Sequence, residues 1–268
     1  MPTLDEAIAE GRGAERPFNC HKHDDRNASA SVNVDKNVWF CHGCGAHGVI
    51  EGNETPSVDA IVKILAGKER PRIYPERWLD IFDASEPSMY WSERFGVDIA
   101  KKYRCGRHPV HNTPTYPIRD ANGAVLGVVQ RRTENPKYLY PSGVSTSKTF
   151  FGQFRANPIV VLVEGAADVM ALDRYQPPPQ WTILGCFGAG IHAPQVALLH
   201  QLAPRLVILG FDDDDAGRSA MLRSKAALGT AMPSLSVSWS SIGGKDPADT
   251  TGNPVTAIHQ VIEERAAA

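Results

Sequence analysis

The sequence predicts a multidomain protein of mixed α/β class, α+β in overall organisation, and three observations carry that expectation. Cys20, His23, Cys41 and Cys44 crowd a short, turn-rich N-terminal segment. A basic stretch of mixed strands and short helices follows. From residue 158 onward, apolar strands alternate with helices of about ten residues, the pattern of βαβ units and a mostly parallel, Rossmann-like sheet. A chain of 268 residues has room for roughly two domains on a prior of ~150 residues each.

Composition is that of an ordinary globular protein, 42% hydrophobic and 22% charged. No apolar run approaches the ~18 residues of a membrane span. The acidic opening MPTLDEAIAEGRGAER lacks the apolar stretch of a secretory signal, so a cytoplasmic protein with no membrane association is expected. Net charge is −2, but it is unevenly spread. Residues 1–70 carry 8 Lys/Arg against 11 Asp/Glu, residues 80–157 carry 11 against 7, and residues 158–252 carry 6 against 9. A basic middle beside a carboxylate cluster suits a polyanionic, metal-bridged partner.

The first segment justifies its own module. Five cysteines, an odd number, argue against a disulfide framework. C-x2-H at Cys20 and His23 and C-x2-C at Cys41 and Cys44 are separated by a hairpin pattern, SVNV and VWF around Asp35-Lys36-Asn37. Three thiolates and one imidazole on two tight turns are the ligand set of a closed structural zinc site. His21, His42 and His47 break the paired spacing. Gly43-Cys44-Gly45-Ala46-His47-Gly48 satisfies G-x-G-x-x-G but lacks the strand-turn-helix context of a dinucleotide site. A helix is expected over VDAIVKILAG (58–67), then a proline-punctuated linker, GKERPRIYPER, with a boundary near residue 70.

In the middle segment, TYPIRD and AVLGVVQRR read as strands joined at Asn122-Gly123. Beyond it, IVVLVEG, WTILGCF, RLVILGF and LSVSW read as buried strands. AADVMALDRY, APQVALLHQLA and AGRSAMLRSKAALG read as the helices between them. Glu164, the run Asp212 to Asp215, and Asp246 with Asp249 all fall at or just past strand ends, where open α/β sheets gather function. Four adjacent carboxylates raise one another's pKa unless cations neutralise them. Magnesium takes such hard oxygen ligands, and two ions can clamp a phosphoryl transfer. A helix dipole accounts for one or two first-turn acids, and Asp168 is open to that reading. Asp215 is the expected cap of the helix beginning near Ala216, and Asp213 is expected to point away from its neighbours. No G-x-x-x-x-G-K-[ST] is present, since Gly243-Gly244-Lys245 is followed by Asp; a P-loop motor is therefore not expected.

Taken together these motifs resemble the DnaG-type DNA primases of bacteria and their phages over nearly the whole chain. Cys20-x-x-His23 with Cys41-x-Gly43-Cys44-Gly45 is similar to the family's zinc ribbon. TYPIRDANGAVLGVVQRR, PKYLYPS and SKTFFG resemble the basic half of its polymerase core. VEGAADVMAL, FDDDDAGRSA and GGKDPAD resemble the three signatures of its Toprim domain.

The resemblance implies a zinc-ribbon template-binding domain over 1–70, a basic subdomain over 71–157 and a Toprim catalytic domain with a C-terminal helix over 158–268. It implies DNA-directed synthesis of short RNA primers from ribonucleoside triphosphates on single-stranded DNA. Glu164, Asp212 and Asp214 take the catalytic and metal positions, Asp246 that of a second ion, and Asp168 a supporting one. Arg131, Lys137 and Lys148 match positions that hold nucleotide or template, and Arg119 is a weaker match. Expected cofactors are one structural zinc and two magnesium or manganese ions.

In the zinc module Lys36, Trp39 and His42 are candidates for stacking on or bonding to template bases, with a core role open for Trp39. Asp213 stands where the family usually has glycine. About 19 residues follow Asp249, so no helicase-binding domain is expected, and the replicative helicase would be a separate protein. A monomer is expected, and the compactness fits a phage or other mobile element. Two other classes use similar parts: a Toprim nuclease or topoisomerase, and a non-catalytic zinc/Toprim recombination mediator. A topoisomerase needs gate domains for which this length leaves no room. The mediators carry four cysteines and no basic core.

Overall fold

The computed structural model describes residues 3–9, 15–25, 28–33, 38–50, 72–82 and 88–267. The hairpin turn at 35–37, with Lys36, and the helix expected over 58–67 lie outside the described residues, as does the expected boundary near residue 70. The chain divides into two compact units, Met1–Lys68 and Glu69–Ala268. Among the described residues no helix is long and apolar enough to cross a membrane.

The first unit holds an antiparallel sheet of β1 (Arg16–Phe18), β2 (Ala30–Asn33), β3 (Val38–Cys41) and β4 (His47–Val49), in that order, beside α1 (Leu4–Ala9). Its small core is Phe18, Ala30, Val32, Trp39, Cys20 and Cys41, with Ala7 from α1. Alternation along β3 buries Trp39 and Cys41 and exposes Val38 and Phe40, the period-2 consequence of strand geometry. So little apolar surface holds a module this size only marginally, and a metal bound at its cysteines would supply what the core lacks.

Among the described residues the second unit opens with a 3-10 helix (Glu76–Ile81), followed by α2 (Met89–Phe95) and α3 (Val97–Lys102). An antiparallel sheet follows, of β5 (Gly106–Arg107), β6 (Pro114–Arg119), β7 (Val125–Arg131) and β8 (Tyr138–Leu139). The turn between β6 and β7 is closed by Gly123 N–H donating to the Asp120 carbonyl, with Gly123 at φ +85° where a side chain would be strained.

The main sheet has the order β13-β12-β10-β11-β9. Its parallel strands are β10 (Ile159–Val163), β11 (Trp181–Gly185), β12 (Leu206–Gly210) and β13 (Ser234–Ser236); β9 (Phe151–Gly152) pairs antiparallel at the edge of β11. Helices α4 (Ala166–Arg174), α5 (Ala193–Leu202), α6 (Asp215–Leu228) and α7 (Pro254–Ala267) complete the unit.

Alternate residues of β10 serve two cores. Val161 and Val163 pack with Val169, Met170 and Ile258 of α4 and α7; Val160 and Leu162 pack with Leu199 and Ala220 of α5 and α6. A strand covered on both faces needs apolar residues throughout, which is why IVVLV shows no polar position. Each such fully buried side chain contributes about 1.5–3 kcal/mol. The chain passes from β10 to β11 on one side, then crosses to β12 on the other. The carboxyl ends of β10 and β12 therefore flank the topological switch point, where α/β sheets open a crevice.

Candidate active site and zinc centre

At that switch point Glu164 directly follows β10, and the chain leaves β12 through Phe211 to Asp212. The Asp212 N–H donates to Glu164 Oε1 at 3.1 Å, tying the two strand ends together. Asp214 is the N-cap of α6, its Oδ1 accepting from Gly217 N–H at 2.8 Å. This corrects the expected cap: Asp215 is the first helical residue, and its exposed carboxylate pairs with Arg218. Gly217 has no alternative here, because a Cβ on it would run into the Asp212 carbonyl.

Asp168, for which an exposed first-turn role was open, is buried. Its Oδ2 accepts from Gly165 N–H at 2.9 Å, holding the tight turn between β10 and α4. Asp246 arrives from the loop after β13, with Oδ1 accepting from Ala248 N–H at 2.9 Å.

Glu164, Asp168, Asp212 and Asp246 line one cleft of about 370 Å³. Burial and the crowding of like charge dominate its electrostatics. Asp212 is pushed up to about 7 by burial, then by Glu164, Asp246 and Asp214. Asp168 rises to about 8 through burial, then through Asp246 and Asp212. Glu164 is also raised by burial, against the Asp212 N–H and with Asp214 and Asp246 adding to it. Acids held this high in a cleft are short of positive charge, and a divalent cation is the group that would relieve them.

The cleft also has a cationic side. Arg131 and Lys137 line it, as do Arg94, Lys245, Tyr138 and Tyr140. Arg131 lies 5.1 Å from the Tyr138 ring centroid and 6.0 Å from that of Tyr90, which also accepts from Arg94 at 3.1 Å. Arg94 and Lys245 escaped the reading of the sequence; the signal for Lys245 was its place in GGKDPAD, beside an acid already chosen. Three expected residues are not among those lining the cleft: Asp214, exposed at the N-terminus of α6, Arg119 and Lys148. Arg119 is held by both oxygens of Glu76, at 2.7 and 2.8 Å, and lines a separate pocket. Lys148 ends a short 3-10 turn, is exposed, and is not among the residues lining the carboxylate cleft. Asp249, also exposed, is not among them either.

In the first unit the four expected ligands come together. Their ligand atoms all lie within 4.8 Å of one another, with Cys20 and Cys44 Sγ 3.8 Å apart and Cys41 Sγ 4.0 Å from His23 Nδ1. A tetrahedron of Zn–S bonds has edges of ~3.8 Å, so the set fits zinc. Among the described residues no other group of three or more His, Cys, Asp or Glu side chains closes in this way. The cleft carboxylates stand more open, as magnesium sites do when one or two carboxylates share the ion with water and phosphate.

Around the zinc group, Asp25 Oδ2 accepts from Cys20 N–H, Ser29 N–H and Ser29 Oγ, at 2.8, 3.0 and 2.9 Å. Its Oδ1 stands 3.9 Å from His23 Nε2, leaving Nδ1 to face the cysteines. Trp39 is core, stacked edge-on to Phe18 at 6.0 Å. The exposed aromatic of β3 is Phe40, with His42 at 5.0 Å and His47 at 6.5 Å between ring centroids.

Residues 161–251 match a family described as Toprim-like. The Aquifex aeolicus primase, in a structure of its zinc-binding and RNA polymerase domains, superposes with a TM-score of 0.53 at 19% identity, covering 96% of this chain and 78% of that one. This is the fold of a DnaG-type primase. The same fold recurs in the RNA polymerase domain of the Mycobacterium tuberculosis primase DnaG, with a TM-score of 0.56 at 21% identity over 75% of this chain and 83% of that one. In sequence, the DNA primase of Salmonella typhimurium is 24% identical over 80% of this chain, and that of Legionella pneumophila 23% over 84%. The chain spans about half the length of the curated relatives it matches, 50% in both cases.

Proposed function

We propose that this protein is a DNA primase that joins ribonucleoside triphosphates into short RNA primers on a single-stranded DNA template. The observation that carries the reading is the mixed charge of the cleft at the switch point: Glu164, Asp212 and Asp246 share its lining with Arg94, Arg131 and Lys137. A nuclease needs the acids alone. Fixed cations lining the same cleft suit a substrate that brings a triphosphate as well as a template.

In this reading the primer 3′-hydroxyl attacks the α-phosphorus of the incoming nucleotide and pyrophosphate leaves. Glu164, Asp212 and Asp214 hold the catalytic cation and Asp246 reaches toward a second. Bound magnesium or manganese would neutralise phosphate charge and align attacking and leaving oxygens. Arg131, fixed between Tyr90 and Tyr138, meets the triphosphate with Lys137, Arg94 and Lys245. Asp168 supports the site by holding the Gly165 turn. Arg119 and Lys148, away from the cleft, serve the template strand. In the zinc unit Phe40 and His42 take the base-stacking role in place of the buried Trp39. A helicase, supplied as a separate protein, completes the expected partners.

The test is incubation with varied single-stranded templates, labelled ribonucleotides and magnesium or manganese. Short template-dependent RNA is expected, and Asp212→Ala should lower its rate by about 100-fold or more, the scale on which loss of a transition-state charge partner acts. DNA cleavage or bare binding with no RNA product on any template would overturn the reading.

A further inference from the structure

Of the four consecutive aspartates, the proposed chemistry leaves Asp213 and Asp215 without work, and Asp215 is exposed and paired with Arg218. Asp213, by contrast, has its N–H, its carbonyl and its Oδ2 all committed. Its N–H donates to the Lys245 carbonyl at 2.7 Å. Its Oδ2 accepts from Ser238 Oγ and from Ser240 N–H, both at 2.7 Å. Its own carbonyl accepts from Arg218 at 3.1 Å. Ser238 and Ser240 bond each other at 2.8 Å, so the carboxylate closes a three-membered polar knot.

The partners of that knot all belong to the loop between β13 and α7, which delivers Lys245 and Asp246 to the cleft. The start of the loop is anchored by Trp239, fully buried with its indole N–H on the Gly210 carbonyl at 3.2 Å, and by buried Val237, whose N–H donates to the Leu209 carbonyl. Five residues lie between Trp239 and Lys245, and anchors at the start of the loop alone do not set the direction of both side chains at its far end. Asp213 supplies a further point of attachment, from the strand end that also bears Asp212. Adjacent aspartates thus divide their work: Asp212 faces the cleft, and Asp213 grips the loop.

We propose that Asp213 is a positioning residue, stapling the Ser238–Ser240 turn so that Lys245 and Asp246 stand at the cleft wall in register with Asp212. The inference rests on the reading of the cleft as a cation and triphosphate site. A glycine at 213 would keep the backbone bond to Lys245 and lose the grip on both serines.

The test uses the full zinc-loaded chain as wild type, Asp213→Ala, Asp213→Asn and Asp246→Asn. It measures manganese binding by titration, amide exchange across 237–249, and primer synthesis against magnesium concentration. Asp213→Ala should speed exchange in the loop and weaken manganese binding by about 10-fold, the scale of outer-shell losses, with the maximal rate at saturating metal little changed. Asp213→Asn keeps an oxygen facing both serine donors and should recover most of the affinity. Added to Asp246→Asn, the alanine should cost little more, since the two act on one element. Ser238→Ala, which removes one donor only, should move exchange the same way and serves if Asp213→Ala does not fold.

Unchanged loop exchange in Asp213→Ala, or losses that simply add to those of Asp246→Asn, would overturn the proposal. If wild type makes no RNA, the functional reading fails. The exchange and manganese measurements still judge the staple.

Discussion

Asp25 carries more of the zinc centre than its place outside the ligand pattern implies. One oxygen gathers the Cys20 amide and both donors of Ser29, while the other stands behind His23. A carboxylate behind a ligating histidine fixes the ring's tautomer and orientation, and its loss typically costs 10–100-fold in metal affinity. Asp25→Asn keeps the shape and weakens the pull on the imidazole. Zinc competition against a chelator should therefore show a loss of about 10-fold for Asp25→Asn, and Asp25→Ala should lose more. An affinity unchanged in both would place the ordering of the knuckle elsewhere. None of this was legible from spacing, because C-x2-H and C-x2-C name ligands and are silent about what orients them.

At the scale of elements, the N-terminus of α6 performs two tasks with one side chain. Asp214 caps the helix through Gly217 N–H and also adds to the charge that raises Glu164 and Asp212. The tasks separate by substitution. Asp214→Asn retains an acceptor oxygen and should keep stability within a few tenths of a kcal/mol, while Asp214→Ala should lose about 1 kcal/mol in denaturant unfolding. Both should depress the proposed primer synthesis, since both remove the charge. Equal stability of the two variants would show that the cap contributes nothing. The identity of the capping residue was beyond the sequence: two adjacent aspartates are equally good caps by type, and only the φ/ψ of residue 214, extended at −117° and 179°, decides between them.

For the molecule as a whole, the crowded acids set a pH dependence of stability. Asp212 and Asp168 are raised to about 7 and about 8 from ordinary values near 4. Between those values the unfolded chain has lost protons that the folded chain keeps, so folded stability falls as pH rises through the window. Without added divalent metal, the melting temperature should therefore drop from pH 5 to pH 8. Magnesium should raise it more at pH 8 than at pH 5, because the ion binds the ionised form. Asp212→Asn should flatten the slope. A melting temperature that climbs over this range, or an equal slope in Asp212→Asn, would contradict the account.

What the sequence determined by itself was whatever local pattern encodes. The alternation of IVVLV, WTILG and LVILG with amphipathic helices specified a parallel sheet, because strands buried on both faces are apolar nearly throughout; Thr182 of WTILG is buried with its hydroxyl donating to the Arg155 carbonyl. The paired Cys and His spacings specified a metal module, because two tight turns are the only economical way to bring four soft ligands together. The carboxylates at strand ends marked the site. The tertiary structure alone decided which side chains converge there. Strand order put β10 beside β12, so Glu164 meets the Asp212 amide across 48 residues of chain. It brought in Arg94 from a helix no motif had marked, left Arg119 tied to Glu76, turned Trp39 into core and Phe40 outward. These outcomes depend on register and crossover, which relate residues distant in sequence, and local pattern carries no information about such distances.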